Sequence, residues 1–349
     1  TANITCSTFQ VESGATVVTD VYSINATGEA DVNGTLNASL GGDQWLGSIR
    51  INGGGMYHAT SEVTTITSED SSGYAFRHNG DFLHNNGIVN FTISVGTSID
   101  AVGTSGNFYN LIFSGTSTTL LTDLDVEGNL TENSVGALVT NANNKYINVT
   151  GDVVIGGQIG DATETADWTF NSITINSGGI YSATQGITHI TGERVDGVAF
   201  SNTGTFTHND GTINISTQAV TWCSNTYVTA GNVFYNLITS TSGTCAFGDA
   251  SSTRTQTIEN EFNITSGTVS IAEDDEYIQI KNLNILGGEL DSSYLTSDIG
   301  LFNISGDVIV YSGGTLDTSN GGDHNIGSLT INSGGTYDAS NETTTMNGN

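Results

Sequence analysis

The sequence has no proline among its 349 residues. Proline cannot donate a hydrogen bond to a β-ladder and is confined to edges and bulges, so its absence favours a chain whose backbone is nearly all paired. Long helical patterns are lacking as well, because no window repeats apolar residues at i, i+3, i+4 and i+7 over three turns. No apolar run reaches the roughly 18 residues of a transmembrane helix, which excludes direct membrane insertion by a helix of this stretch.

Positive charge is scarce, since six Lys and Arg face 36 Asp and Glu and give a formal net charge of −30. This balance excludes nucleic acid as a partner, because a phosphate backbone is bound by cations. It also excludes an anionic membrane surface. The six cations are Arg50, Arg77, Lys145, Arg194, Arg254 and Lys281.

One motif occurs three times, as SIRINGGGMYHAT at 48–60, SITINSGGIYSAT at 172–184 and SLTINSGGTYDAS at 328–340. Two apolar residues alternate with polar ones in each copy, which predicts a half-buried strand. A Gly-Gly pair then allows a sharp bend, and a Tyr follows. One strand and one bend cannot fold alone, so the copies predict a solenoid whose units stack on each other.

A longer repeat contains this motif. Ser48 and Ser172 lie 124 residues apart, as do Phe82 and Phe206 in the segments FLHNNG and FTHNDG. We therefore expect one solenoid over 1–349, with modules at about 21–146, 147–301 and 302–349 and an N-terminal coil or inter-subunit strand at 1–20.

Strand-like centres recur every 15 to 27 residues along the chain. This spacing is the coil length of a right-handed parallel β-helix, and it predicts an all-β solenoid of about sixteen coils. Asn and Gly at the bends would accept left-handed backbone conformations.

The motifs HNNG and HNDG, the pair of FYNLI segments and the NISGDV and INSGG strands resemble repeats of bacterial and archaeal cell-surface proteins of adhesin or filament type. The resemblance covers nearly the whole chain. It implies a right-handed parallel β-helix exposed at a cell surface.

Cysteine is also rare, with three residues in the chain. Cys223 and Cys245 are 22 residues apart, close to one coil, and stacked strands bring Cα atoms within disulfide range. We expect a bond between them that staples neighbouring coils in an oxidising compartment, against the alternative of two buried thiols. Cys6 would then be left for a bond between subunits or as a free thiol.

Asn-X-Ser/Thr triplets are frequent, and several lie at equivalent positions of the modules. An exported chain would expose such sites to glycosylation, whereas the alternative is that Asn simply faces outward on a strand. The most favoured sites are the equivalent Asn25, Asn148 and Asn303. The candidate sites are Asn3, Asn25, Asn33, Asn37, Asn90, Asn129, Asn148, Asn214, Asn263, Asn303 and Asn341.

Residues for catalysis are poorly arranged. The histidines show no metal-ligand spacing, and His84 and His208 precede turn sequences. The acidic pairs Glu69-Asp70 and Glu273–Glu276 are interpreted as solvated loops. Asp123, Asp125 and Glu127 alternate along a strand, so they predict an outward acidic face, with calcium as the alternative. We expect no catalytic residues, no cofactor site and no metal site.

Trp45 and Trp168 precede equivalent strands, and each lies near an acid, Asp43 or Asp167. An exposed aromatic side chain could bind sugar. The sequence favours a stacked structural aromatic at a module corner, because both copies keep it.

The favoured function is a non-enzymatic structural subunit of an extracellular filament or surface appendage. A chain that begins at Thr1 is expected to have lost a signal peptide or to be a fragment. Neither terminus resembles a polar cap, so we expect copies to join head to tail by strand stacking or strand exchange. The residues expected at this junction are Ile4, Cys6, Phe9, Val11, Val17, Leu329 and Ile331.

Two alternatives remain open. The first is a fragment of a cell-surface adhesin that binds glycans or neighbouring cells. The second is a β-helix polysaccharide lyase or hydrolase, which would need converging acids and a cation on one sheet face.

Overall fold

The protein is all-β in a computed structural model, which shows no helix in the residues that it describes. These are residues 3–101, 107–133, 136–140, 144–217, 222–226, 232–247, 255–271, 277–292, 301–319, 323–340 and 342–348. The chain divides into two compact units, Thr1–Ala166 and Asp167–Asn349.

The first unit is built from short strands. They are β1 (Ile4–Cys6), β2 (Phe9–Val11), β3 (Thr16–Val18), β4 (Ile24–Val32), β5 (Thr35–Asn37), β6 (Gln44–Ile51), β7 (Met56–His58), β8 (Val63–Ile66), β9 (Tyr74–His78), β10 (Asp81–Leu83), β11 (Ile88–Phe91), β12 (Thr97–Ala101), β13 (Asn110–Phe113), β14 (Thr118–Leu120), β15 (Leu124–Val126), β16 (Leu130–Glu132), β17 (Ala137–Val139), β18 (Ile147–Ile155) and β19 (Gln158–Ile159).

The second unit contains longer strands as well. They are β20 (Trp168–Ile175), β21 (Ile180–Ser182), β22 (Ile187–Ile190), β23 (Val198–Asn202), β24 (Thr205–Thr207), β25 (Thr212–Ile215), β26 (Trp222–Thr226), β27 (Val233–Phe247), β28 (Thr255–Ile271), β29 (Tyr277–Ile285), β30 (Glu289–Asp291), β31 (Leu301–Val310), β32 (Thr315–Asp317), β33 (His324–Ile331), β34 (Thr336–Asp338) and β35 (Thr344–Met346).

Each unit is a parallel β-solenoid, in which a strand pairs with its equivalent one turn later. In the first unit Leu36 lies opposite Tyr57, and Tyr57 lies opposite Phe82. In the second unit Leu290 lies opposite Leu316. Such in-register pairing places like side chains on one face, so apolar residues stack on apolar residues along the inside.

Aromatic rings fill part of this core in the first unit. Phe76 lies in β9, Phe82 in β10 and Phe108 just before β13, and their ring centroids lie 5.1 to 5.5 Å apart. All three side chains are buried. Tilted and edge-on ring pairs at such distances add to the burial of apolar area, so the phenylalanines tie neighbouring turns together.

The second unit repeats this cluster with Phe200, Phe206 and Phe234. Their ring centroids lie 5.2 to 5.6 Å apart. The 124-residue repeat of the sequence is therefore visible as a repeated packing arrangement.

The bend after each motif strand requires glycine. Gly54, Gly178 and Gly334 occupy equivalent positions and have φ angles of +83°, +85° and +86°, in the left-handed region that other residues rarely adopt. At the following glycine, Gly55, a Cβ atom would lie 2.2 Å from the carbonyl oxygen of Val32 on the preceding turn. The Gly-Gly pair thus supplies a left-handed residue and then a close backbone contact.

The predicted fold class is confirmed, because the chain is an all-β parallel solenoid. It has about 13 turns, slightly fewer than the sixteen coils expected.

Candidate functional site

Two equivalent clusters on the outer surface combine a histidine, a tyrosine and a glutamate from successive turns. The first His–Tyr–Glu column contains His84, Tyr109 and Glu127, and the second contains His208, Tyr235 and Glu259. Each column lies within one unit.

The histidine of each column is held by a tight turn, which the segments HNNG and HNDG predict. In the first turn Asn85 and Asn86 have φ angles of +48° and +58°, which Asn tolerates better than most residues. The backbone N–H of Asn86 donates to Nδ1 of His84 at 3.0 Å. In the second turn the N–H of Asp210 donates to Nδ1 of His208 at 2.9 Å.

The hydrogen bond to Nδ1 fixes the role of the other ring nitrogen. With Nδ1 as an acceptor, Nε2 carries the proton in the neutral ring and faces a carboxylate. The distance from Nε2 to a glutamate oxygen is 3.3 Å in both columns, to Glu127 and to Glu259.

The tyrosine ring lies beneath the imidazole. The ring centroids of His84 and Tyr109 are 5.5 Å apart at an interplanar angle of 22°, and those of His208 and Tyr235 are 5.6 Å apart at 20°. The same geometry therefore recurs in both units, although only the histidine turns and the FYNLI segments were recognised as repeats in the sequence.

The columns are better suited to holding turns together than to catalysis. Each imidazole is bonded through both nitrogens and stacked on a ring, so its proton-transferring position is occupied by the glutamate of the same chain. The histidine side chains are about one fifth exposed, at 19% and 20%. They can therefore be reached by solvent while their orientation is fixed.

A surface groove of about 400 Å³ adjoins the second column. Tyr235 and Glu259 line it together with Gln279, Lys281 and Asn303. In the part of the chain that the structure describes, no salt bridge to Lys281 is found. The groove thus offers an aromatic ring, amides, a carboxylate and an ammonium group, which are groups that bind the hydroxyls and charges of a polar ligand.

The tyrosine of the triplicated motif has a structural role. Its hydroxyl bonds to the hydroxyl of a threonine seven residues later in all three copies, with O···O distances of 3.2, 2.7 and 3.0 Å. Burial raises the pKa of Tyr57 to about 12 and also raises that of Tyr181. The pairs are Tyr57 with Thr64, Tyr181 with Thr188, and Tyr337 with Thr344.

The two tryptophans, which the sequence predicts to be equivalent, lie on different faces of their strands, one inward and one outward. Trp168 is fully buried, whereas Trp45 is 40% exposed. Trp168 lies opposite Thr188 and Gln44 lies opposite Thr64, so Gln44 occupies the position of Trp168 in the first unit. Trp45 is one residue further on, and one residue moves a side chain to the other face of a strand. The expectation of a common structural role is therefore wrong for Trp45.

The acids beside these tryptophans hold the next turn. Oδ1 of Asp43 accepts from the N–H of Val63 at 3.1 Å, and Oδ1 of Asp167 accepts from the N–H of Ile187 at 2.8 Å. Asp323 does the same for Thr343 at 2.9 Å. The three carboxylates each satisfy a backbone donor at a bend.

The predicted disulfide is present between Cys223 and Cys245, whose Cα atoms are 5.0 Å apart. Both residues are buried. Disulfides persist in oxidising compartments, which this bond therefore favours. Cys6 is a free, half-buried thiol.

The acidic face at Asp123, Asp125 and Glu127 faces outward, because Leu124 and Val126 between them are buried. Asp125 accepts from the hydroxyl of Tyr146 at 3.0 Å. Among the described residues no group of three or more His, Cys, Asp or Glu is placed to hold a metal ion.

The other acidic pairs are predicted to lie in solvated loops. Glu69 and Asp70 do lie in a loop, but the side chain of Asp70 is only 7% exposed, so solvation is wrong for Asp70. Asp70 forms a salt bridge with Arg77 at 3.3 Å, while Glu273–Glu276 lie outside the described residues.

The candidate glycosylation sites differ in how their side chains are bonded. Asn25, Asn129 and Asn303 are exposed. Nδ2 of Asn148 donates to Asp125 at 3.0 Å, and Nδ2 of Asn33 lies 3.4 Å from Asp31. Asn3, Asn37, Asn90 and Asn263 accept hydrogen bonds, Asn214 contacts His189, and Asn341 lies outside the described residues.

The residues expected between subunits fall into two groups. Ile4 and Ile331 are exposed, at 36% and 46%, whereas Val11 is buried. Cys6, Phe9, Val17 and Leu329 are half-buried.

The chain matches no protein-family model, no curated protein and no solved structure. In the described residues no helix is long and apolar enough to cross a membrane.

Proposed function

We propose that the chain is a structural subunit of an extracellular filament or surface appendage. The observation that carries this proposal is the repetition of the packing itself. In both units the inside is a stack of like apolar side chains, and bonds between neighbouring turns recur outside, as in the two His–Tyr–Glu columns. Such a construction extends along one direction by adding equivalent turns.

Export is supported by the buried disulfide, which is typical of proteins that mature in oxidising compartments. The high acidic charge adds to this, because it keeps the surface solvated. We propose in addition that the protein lies at the cell surface and carries glycans.

Assembly would use a second copy of the chain. Apolar side chains are exposed on strands β1, β3, β33 and β35, and a strand of another copy could cover them while continuing the backbone ladder. These residues are Ile4, Val18, Ile331 and Met346.

Electron microscopy and sedimentation of the purified protein test this assembly. Ile331→Asp should abolish filaments, because an aspartate would be buried at the junction. The matched control is Val195→Asp, since Val195 is fully exposed in a turn of the same unit. Filaments of normal length from Ile331→Asp, or equal loss in both variants, would contradict the proposed junction.

A second candidate function is glycan binding by an adhesin, which the groove beside the second His–Tyr–Glu column favours. A glycan array with the wild-type protein and with Lys281→Glu tests it. Binding of acidic glycans that the variant loses would support adhesion. If the wild-type protein binds no glycan on the array, adhesion is refuted and the structural function remains the single candidate.

A further inference from the structure

The first unit contains an exposed aromatic residue directly beside a glycosylation triplet. Asn25 on β4 and Trp45 on β6 are register partners in adjacent parallel strands. Strands in a sheet are about 4.8 Å apart, and paired residues point to the same face. Both side chains are exposed, so they lie next to each other on the outer surface.

A groove of about 310 Å³ lies over this pair. Its lining includes the whole triplet, Asn25, Ala26 and Thr27, together with Trp45 and Thr67. Thr27 is exposed, while Ala26 between the two triplet side chains is buried. The carboxamide and the hydroxyl of the triplet therefore point into the same groove as the indole.

Three properties single out Asn25. It is exposed, and the hydrogen bonds found within the described residues leave its Nδ2 unused, unlike that of Asn148, which donates to Asp125. It also has an aromatic neighbour. Asn303 is exposed as well, but its register partners are Gln279 and Asn325.

We propose that Asn25 carries an N-linked glycan whose first sugar packs on the indole of Trp45. The donor would be a lipid-linked oligosaccharide pyrophosphate. Nδ2 of Asn25 forms a bond to the anomeric carbon, the bond from that carbon to the phosphate oxygen breaks, and the lipid pyrophosphate leaves with the bonding electrons. One proton is lost from Nδ2.

The packing follows from the chemistry of both partners. One face of a pyranose ring carries C–H groups, and the indole is a large apolar surface with a polar N–H at its edge. An attached sugar would cover the exposed part of Trp45, which otherwise leaves a large apolar ring in water. This inference rests on the proposed export, because glycan transfer takes place on exported chains.

Mass spectrometry of the native protein tests the modification. The peptide containing Asn25 should carry a glycan mass that enzymatic deglycosylation removes. An unmodified Asn25 peptide overturns the inference, and the state of the cysteines in the same sample separates the two proposals. A bonded Cys223–Cys245 pair with bare Asn25 refutes this site alone, whereas reduced cysteines also count against export.

Tryptophan fluorescence tests the packing. In Asn25→Gln the quenching of fluorescence by acrylamide should rise, because Trp45 loses its cover. The rise should be absent in the double variant Asn25→Gln, Trp45→Phe and in the matched control Asn303→Gln. A glycosylated Asn25 whose removal leaves quenching unchanged overturns the contact with Trp45. Both residues are exposed, so these variants keep the core.

Discussion

His324 gives the second unit a dependence on pH. The ring is fully buried and lies parallel to Phe302, with ring centroids 4.2 Å apart at 14°. Among the described residues neither ring nitrogen has a hydrogen-bond partner. Burial lowers the pKa of His324 to about 4, and the nearby Asp323 opposes this shift only in part.

The sign of the effect follows from proton binding. The unfolded chain takes up this proton near pH 6.5, whereas the folded chain does so only near pH 4. The contribution to stability is therefore fully present above pH 6.5 and is lost as the pH falls toward 4. Between pH 7.5 and pH 5.0 the free energy of unfolding should fall by about 2 kcal/mol through this group alone.

His324→Phe isolates this contribution, because a phenyl ring keeps the stack on Phe302 and cannot be protonated. Hydrogen exchange of peptides covering β31 and β33 measures the local stability. At pH 5.0 the variant should keep about 2 kcal/mol that the wild type loses. His208→Phe is the control, since it removes a partly exposed ring of the same unit that lies outside β31 and β33. In this control the peptides of β31 and β33 should lose stability at pH 5.0 as they do in the wild type. Equal losses in wild type and His324→Phe would refute the reasoning.

Three further perturbations test the packing. Tyr181→Phe should cost about 1 kcal/mol in chemical unfolding, because the buried hydroxyl of Thr188 loses its partner; no change would show that water replaces the bond. Reduction of the disulfide should cost about 3 kcal/mol for a 22-residue loop, and an unchanged midpoint would contradict this. Gly54→Ala should cost about 1–2 kcal/mol and Gly53→Ala little, since both have open space and only Gly54 has a positive φ; equal costs would contradict the role of φ.

The repeats were predictable because backbone constraints act locally. A Gly-Gly pair after the alternating strand of the triplicated motif indicates a left-handed bend, and Gly178 and Gly334 confirm this. The disulfide was predictable for a related reason. A separation of 22 residues is one turn, and one turn brings Cα atoms together whatever the remaining sequence.

The His–Tyr–Glu columns were missed because their members lie on three turns of unequal length. Tyr109 follows His84 by 25 residues, while Tyr235 follows His208 by 27. Glu127 precedes the triplet at Asn129 by two residues, whereas Glu259 precedes the triplet at Asn263 by four, so no common spacing marks the glutamates. A signal existed in the tyrosine of each FYNLI segment, which lies one turn after a histidine turn, but only the register shows that the side chains stack.

Trp45 and Trp168 show how a solenoid of this kind acquires a surface feature without losing its core. Both residues are near the start of equivalent strands, but a shift of one residue separates a buried ring from an exposed one. In the first unit Gln44 takes the buried position, and its Oε1 accepts from the N–H of Ile24 at 2.8 Å. A polar residue can therefore replace the buried tryptophan at the inward position, because a hydrogen bond takes the place of apolar packing there. The next residue points outward, and in the first unit it is Trp45 beside Asn25. In such repeats, exposed binding or modification sites should accordingly be sought where a large side chain is shifted by one residue between two equivalent strands.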